Sequence, residues 1–124
     1  MFIGLPNVQI PQPSYSVNYD QTATIPCNVI ATPGITNVQW IKVVNGVEQN
    51  IDMTQAKYSG ATTNNPALNI ANANLNDEVV YICTATNSVG TGRSQQSYLD
   101  VVGGNFVISY SRLLHERCTN LQYC

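Results

Sequence analysis

Charge is scarce in this sequence. Asp, Glu, Lys and Arg make up 10% of its 124 residues, against about 25% in an average globular domain. Five basic side chains face seven acidic ones, for a net charge of −2. That balance supplies no basic field to hold a nucleic acid or an anionic membrane. No apolar run approaches the ~18 residues needed to cross a bilayer, so no membrane insertion is expected. The opening, Met1 to Pro6, lacks the basic stretch of a secretory leader. Asn-x-Ser/Thr does not occur, so N-glycosylation is not expected. Histidine occurs once, at His115, and the acids Asp20, Glu48, Asp52, Asp77, Glu78, Asp100 and Glu116 are scattered. No spacing forces two carboxylates into one cleft, and no helix pattern follows Gly90-Thr91-Gly92 to make a phosphate cradle. These absences argue against an enzyme and against a cofactor.

What the chain does have is short alternation. Hydrophobic residues are 44% of the composition, enough for the core of one domain. Asn, Gln, Ser and Thr carry the solubility, which suits a β-rich extracellular surface. Breakers recur at Pro11, Pro13, Pro26, Pro33-Gly34, Asn45-Gly46, Gly60, Pro66, Gly90, Gly92 and Gly103-Gly104. Between them, Ala23, Ile25, Cys27 and Val29 recur every second residue, as do Val38 and Trp40, Leu68 and Ile70, Tyr81, Cys83 and Ala85, and Leu99 and Val101. A period of two places each set on one face of a strand. Many short strands between turn signals predict an all-β sandwich or barrel. Asn45-Gly46, between Val44 and Val47, predicts a two-residue hairpin, because a type I′ turn needs positive φ at both central positions.

Cys27 is followed by Trp40, and Tyr81 precedes Cys83 by two residues. This Cys, Trp, Tyr-x-Cys order resembles the immunoglobulin sandwich. The likeness extends to Leu68-Asn-Ile70, Ala73, Asp77, Tyr81-Ile-Cys83-Thr-Ala85-Thr-Asn87-Ser-Val-Gly90 and Trp40-Ile-Lys42, which resemble the I-set signature over residues 6–102. Lys57-Tyr-Ser-Gly60 and residues 86–92 also resemble domains of hemicentin-like arrays. The resemblance implies two antiparallel sheets in Greek-key order, a Cys27–Cys83 bridge with the Trp40 indole packed on it, and a Tyr81 hydroxyl turned back to the backbone. Such a bridge implies an oxidising compartment. Asp77 at the corner between strands E and F is expected to pair with Lys57. Val79 stands where the family usually has Gly or Ala, and Asp20-Gln21 where it often has a Gly turn.

The resulting map places strand A at 7–12, A′ at 14–18, B at 21–30, C at 38–44, C′ at 47–52, D at 56–59, E at 67–71, F at 79–87 and G at 92–102. An N-terminal extension covers 1–5, the I-set domain 6–103 and a C-terminal tail 104–124. The tail breaks the pattern. Residues 111–123 fit a short amphipathic helix, or 106–110 an extra strand. Cys118 and Cys124 pair with each other, with a partner chain, or stay free; an even cysteine count does not choose. His115, Cys118 and Cys124 match no usual zinc spacing, and no metal is expected.

Function is then expected from a surface. On strands C, F and G the outward positions are Gln39, Ile41, Val43, Ile82, Thr84, Thr86, Tyr98 and Asp100. Ile41, Val43, Ile82 and Tyr98 form an apolar cluster with a polar rim, the mark of an interaction face. A partner protein, the tail, or nothing covers it. The leading expectation is an extracellular adhesion or matrix-recognition module whose partner is another protein, a neighbouring immunoglobulin domain or a second copy in a homo-oligomer. The alternatives are an innate immune receptor for a foreign protein or glycan, binding through loops 31–37 and 87–93, and a structural spacer.

Overall fold

The computed structural model describes residues 3–103. The expectations for residues 104–124, including a helix, a strand, and the states of His115, Cys118 and Cys124, lie outside the described residues. The strands are β1 (Asn7–Gln9), β2 (Ser14–Asn18), β3 (Ala23–Ile25), β4 (Asn28–Ile30), β5 (Asn37–Val44), β6 (Val47–Asn50), β7 (Tyr58–Gly60), β8 (Leu68–Ile70), β9 (Val80–Thr86), β10 (Thr91–Arg93) and β11 (Ser97–Val102), with one 3-10 turn at Leu75–Asp77. One layer holds β3-β8-β7 and the short pair β1-β4; the other runs β2-β11-β9-β5-β6, with β10 also on β9.

Alternation builds both layers. Ala23 and Ile25 face in with Thr24 out, and Leu68 and Ile70 oppose them across β8. From the other layer come Val38, Trp40, Tyr81, Cys83, Ala85, Leu99 and Val101, all buried in one cluster with Ile10, Leu68 and Ile70. Removing such side chains from water is the main stabilising term. The β5–β6 hairpin closes on Asn45 (φ 53°) and Gly46 (φ 78°), the positive angles that its register of Val44 opposite Val47 needs.

The chain changes layers between β1, antiparallel to β4, and β2, parallel to β11. Pro11 and Pro13 fall in this crossing, where a missing N–H costs no ladder bond. Where a Gly turn is common in the resembling family, Asp20 takes φ 70° and its carboxylate accepts a 3.0 Å hydrogen bond from Asn72 Nδ2. A short polar side chain tolerates that conformation. Val79, at the other departure, packs against the core.

Two expected strands are each in two pieces. Strand B breaks at Pro26-Cys27 into β3 and β4, because Pro26 has no N–H to donate. Strand G breaks at 94–96 into β10 and β11. There Ser94 Oγ accepts from the Cys83 amide at 2.9 Å, while the Ser94 amide donates to Cys83 O at 2.8 Å. Gln95 Nε2 reaches Ile10 O, and Ser97 Oγ donates to Gln12 O at 2.9 Å. Side chains therefore take over backbone partners and stitch the break to the A to A′ crossing. Strand A ends at Gln9, C′ at Asn50, and D is shifted to Tyr58–Gly60.

Candidate functional site

Cys27 and Cys83 are bonded (S–S 2.06 Å, Cα–Cα 6.4 Å), joining the two layers through the core. Trp40 stands opposite Cys83 in the β5–β9 register and is fully buried. Its indole N–H donates to Pro66 O at 2.7 Å, so the ring buries without an orphaned donor. The Tyr81 hydroxyl donates to Asp77 O at 2.9 Å. Burial, then the Asp77 charge, pushes that hydroxyl far above its ordinary range.

Below this tyrosine, Asn74 caps the 3-10 turn and Asp77 Oδ2 accepts from the Asn74 amide at 2.9 Å. The same oxygen meets Lys57 Nζ at 2.9 Å. Lys57 Nζ also donates to Ala71 O and Asn72 O. These bonds tie the corner after β8 to the turn before β7. They are structural and point at no ligand.

The outer face of β6-β5-β9-β10 is less open than alternation predicts. Ile82 is 1% exposed, Thr84 8% and Ile41 9%. The open apolar cluster expected at Ile41 and Ile82 is therefore not present: Ile82 is covered and Ile41 nearly so. Val43, Gln39 and Thr86 are half-buried, and Tyr98 is 41% exposed. Thr84 Oγ1 donates to Gln39 O at 2.7 Å, Gln39 Nε2 folds onto Trp40 O and Ile51 O, and the Thr86 and Thr91 hydroxyls meet at 2.7 Å.

Arg93 and Glu48 cross this face as an ion pair. Arg93 Nη2 lies 2.7 Å and Nη1 3.3 Å from the two Glu48 carboxylate oxygens, a bidentate pair. Arg93 pairs with Thr84 on one side of the sheet, and Glu48 pairs with Val43 on the other. Ile82 and Ile41, opposite each other, occupy the row between. A line from Arg93 to Glu48 crosses that row, so the pair straps the face diagonally over the two isoleucines. The Arg93 hydrogen bond holds the Glu48 carboxyl below its ordinary range. Sequence reading placed neither residue at the site: they lie 45 positions apart, and no local pattern links them. Beyond β9, Tyr98 sits near Glu78 and Asp100; desolvation first, then these carboxylates, raises its hydroxyl pKa.

Across the molecule, two shallow clefts of about 440 and 320 Å³ flank Ile30 on β4. Uncharged side chains line them, including Asn7, Gln9, Asn28 and Asn64. Among the described residues no His, Cys, Asp and Glu cluster poised for a metal occurs. Likewise, no helix there is long and apolar enough to cross a membrane.

An inter-sheet disulfide packed beside a buried Trp, with a tyrosine corner below it, defines an immunoglobulin-type sandwich. The model of the immunoglobulin I-set domain matches residues 6–100. The chain belongs to the immunoglobulin I-set family. Among solved structures it is similar to the tandem immunoglobulin repeats of Dlar, with 31% identity, TM-score 0.63, and coverage of 79% of this chain and 48% of that one. It is also similar to the N-terminal Ig1-2 module of the Drosophila receptor protein tyrosine phosphatase DLAR, with 31% identity, TM-score 0.64, and coverage of 82% and 47%. The chain thus spans about half the length of each. No curated protein matches. These likenesses stand at the level of the I-set domain and carry the narrower hemicentin-like likeness no further.

Proposed function

We propose that this domain is an extracellular protein–protein recognition module, of the adhesion or matrix-binding kind, that meets its partner with the outer face of β5, β6, β9, β10 and β11. The observation that carries this reading is the make-up of that face. Val43 and Tyr98 stand partly open beside the strapped isoleucines on strands anchored by the core disulfide. A rigid face that leaves an aromatic and an aliphatic side chain partly open around a paired, net-neutral Arg93–Glu48 strap is suited to protein recognition. The disulfide favours an oxidising, extracellular setting. Likeness to receptor modules supports the class of function.

The test is multivalent display of the full chain against a panel of extracellular protein domains, the chain itself included. Val43→Asp and Tyr98→Glu should abolish the contacts that wild type makes, while Ile30→Glu on the opposite layer should leave them. Loss with Ile30→Glu alone would move the binding site to the clefts at β4 and overturn the assignment.

A further inference from the structure

We infer that the partner of this face is a second copy of the chain, held by exchange of the Arg93–Glu48 pair across a two-fold axis. The inference rests on the recognition reading above and adds the identity of the partner. Arg93 and Glu48 are each about half exposed, with side-chain exposures of 50% and 47%. Their charges meet above the row of Ile41 and Ile82, near the middle of the face. Between them on β5 and β9 the outward positions Gln39, Ile41, Val43, Ile82 and Thr84 carry no charge.

An isologous contact requires a surface complementary to itself, in which residue i meets j and j meets i. In charge, the Arg93–Glu48 pair meets that condition. A two-fold axis lying in the face, perpendicular to the Arg93–Glu48 line, sets each guanidinium against the other copy's carboxylate. The charged ends already gather at that axis, so pairing needs only a change of partner, or a ring of alternating charges. No net charge is brought in, and each Arg93 stem lies against the other copy's Glu48 stem. The Glu78 and Asp100 carboxylates lie beyond β9 near Tyr98 and so bound the contact on that side.

The test uses charge reversal in the full chain carrying Cys118→Ser and Cys124→Ser, which removes tail cross-linking. Sedimentation velocity on a concentration series should show weak reversible dimers that salt dissociates. Arg93→Glu alone and Glu48→Arg alone each set like charges across the axis and should weaken the dimer by about tenfold or more. Mixing the two variants should restore association as a heterodimer. One copy then presents carboxylates at both positions and the other presents guanidinium groups at both, so opposite charges face each other twice across the axis. The intramolecular pair stays broken in both, so only a contact between copies responds. The double reversal Arg93→Glu/Glu48→Arg should dimerise like wild type and serves as the folding control.

A chain monomeric at every concentration overturns the inference. So does a dimer indifferent to either reversal, or a mixture no tighter than its components. If the chain is monomeric yet Val43→Asp still abolishes capture of another extracellular domain, the recognition face stands and the second copy falls.

Discussion

At the scale of single residues, the two ion pairs among the described residues have different settings. Lys57–Asp77 joins a half-buried cation to a carboxylate with only 6% of its side chain exposed. Asp77→Ala removes the acceptor of both Lys57 and the Asn74 amide, leaving donors in a poorly hydrated corner. The expected loss is about 2 kcal/mol in urea unfolding, with a smaller loss for Lys57→Met. Glu48, paired in the open, gives a titration signature instead. Its carboxyl is lowered by Arg93, so the contribution of the pair is complete above the ordinary carboxylate pKa and fades as pH falls through the lowered one. Arg93→Ala should therefore move the Glu48 midpoint upward in a carboxyl-carbon NMR titration. An unmoved midpoint would show that the strap is not closed in solution.

At the scale of elements, the sequence read best where one face alternates between apolar and polar. The β5–β6 hairpin, the parity of β9 and the corner at Tyr81 all follow from local pattern and turn chemistry. The breaks in strands B and G did not read, although Pro26 carried the signal for the first. The second depends on Ser94 and Gln95 finding backbone partners that are distant in sequence. The strap was illegible for the same reason, and without it Ile82 falls on a surface that alternation alone leaves open. Gly92 marks another non-local contact: a Cβ there would collide with the Pro6 carbonyl. Gly92→Ala should push the segment at β1 off β10. The expected result is faster amide exchange at Val8 and nearby amides, with β5 and β9 protection unchanged.

At the scale of the whole molecule, one covalent link closes a long loop. Cys27 and Cys83 are 56 residues apart, and the bridge they form constrains nearly half of the unfolded chain. The double variant Cys27→Ala/Cys83→Ala should lose roughly 4 kcal/mol by the chain-entropy account, read as a lower urea midpoint. A midpoint unchanged within error would mean that packing around Trp40 suffices without the bridge. The domain's class was legible because Cys27, Trp40, Tyr81 and Cys83 are each dictated by one shared core. Its recognition chemistry was less so, since an exposed face answers to a partner that the sequence does not contain.

The parallel pairing of β2 with β11 has a mechanical consequence. Ser14 to Asn18 runs beside Tyr98 to Val102 in the same direction. Tension applied ahead of β2 and behind β11 pulls the two strands past each other lengthwise. Every bond of that ladder then bears load together, whereas a hairpin peels one bond at a time. Once the ladder yields, the bridge from Cys27 to Cys83 keeps a 56-residue span from unravelling, roughly 190 Å of contour at full extension. Under such tension, the domain would act as a stiff link with a short, fixed reach.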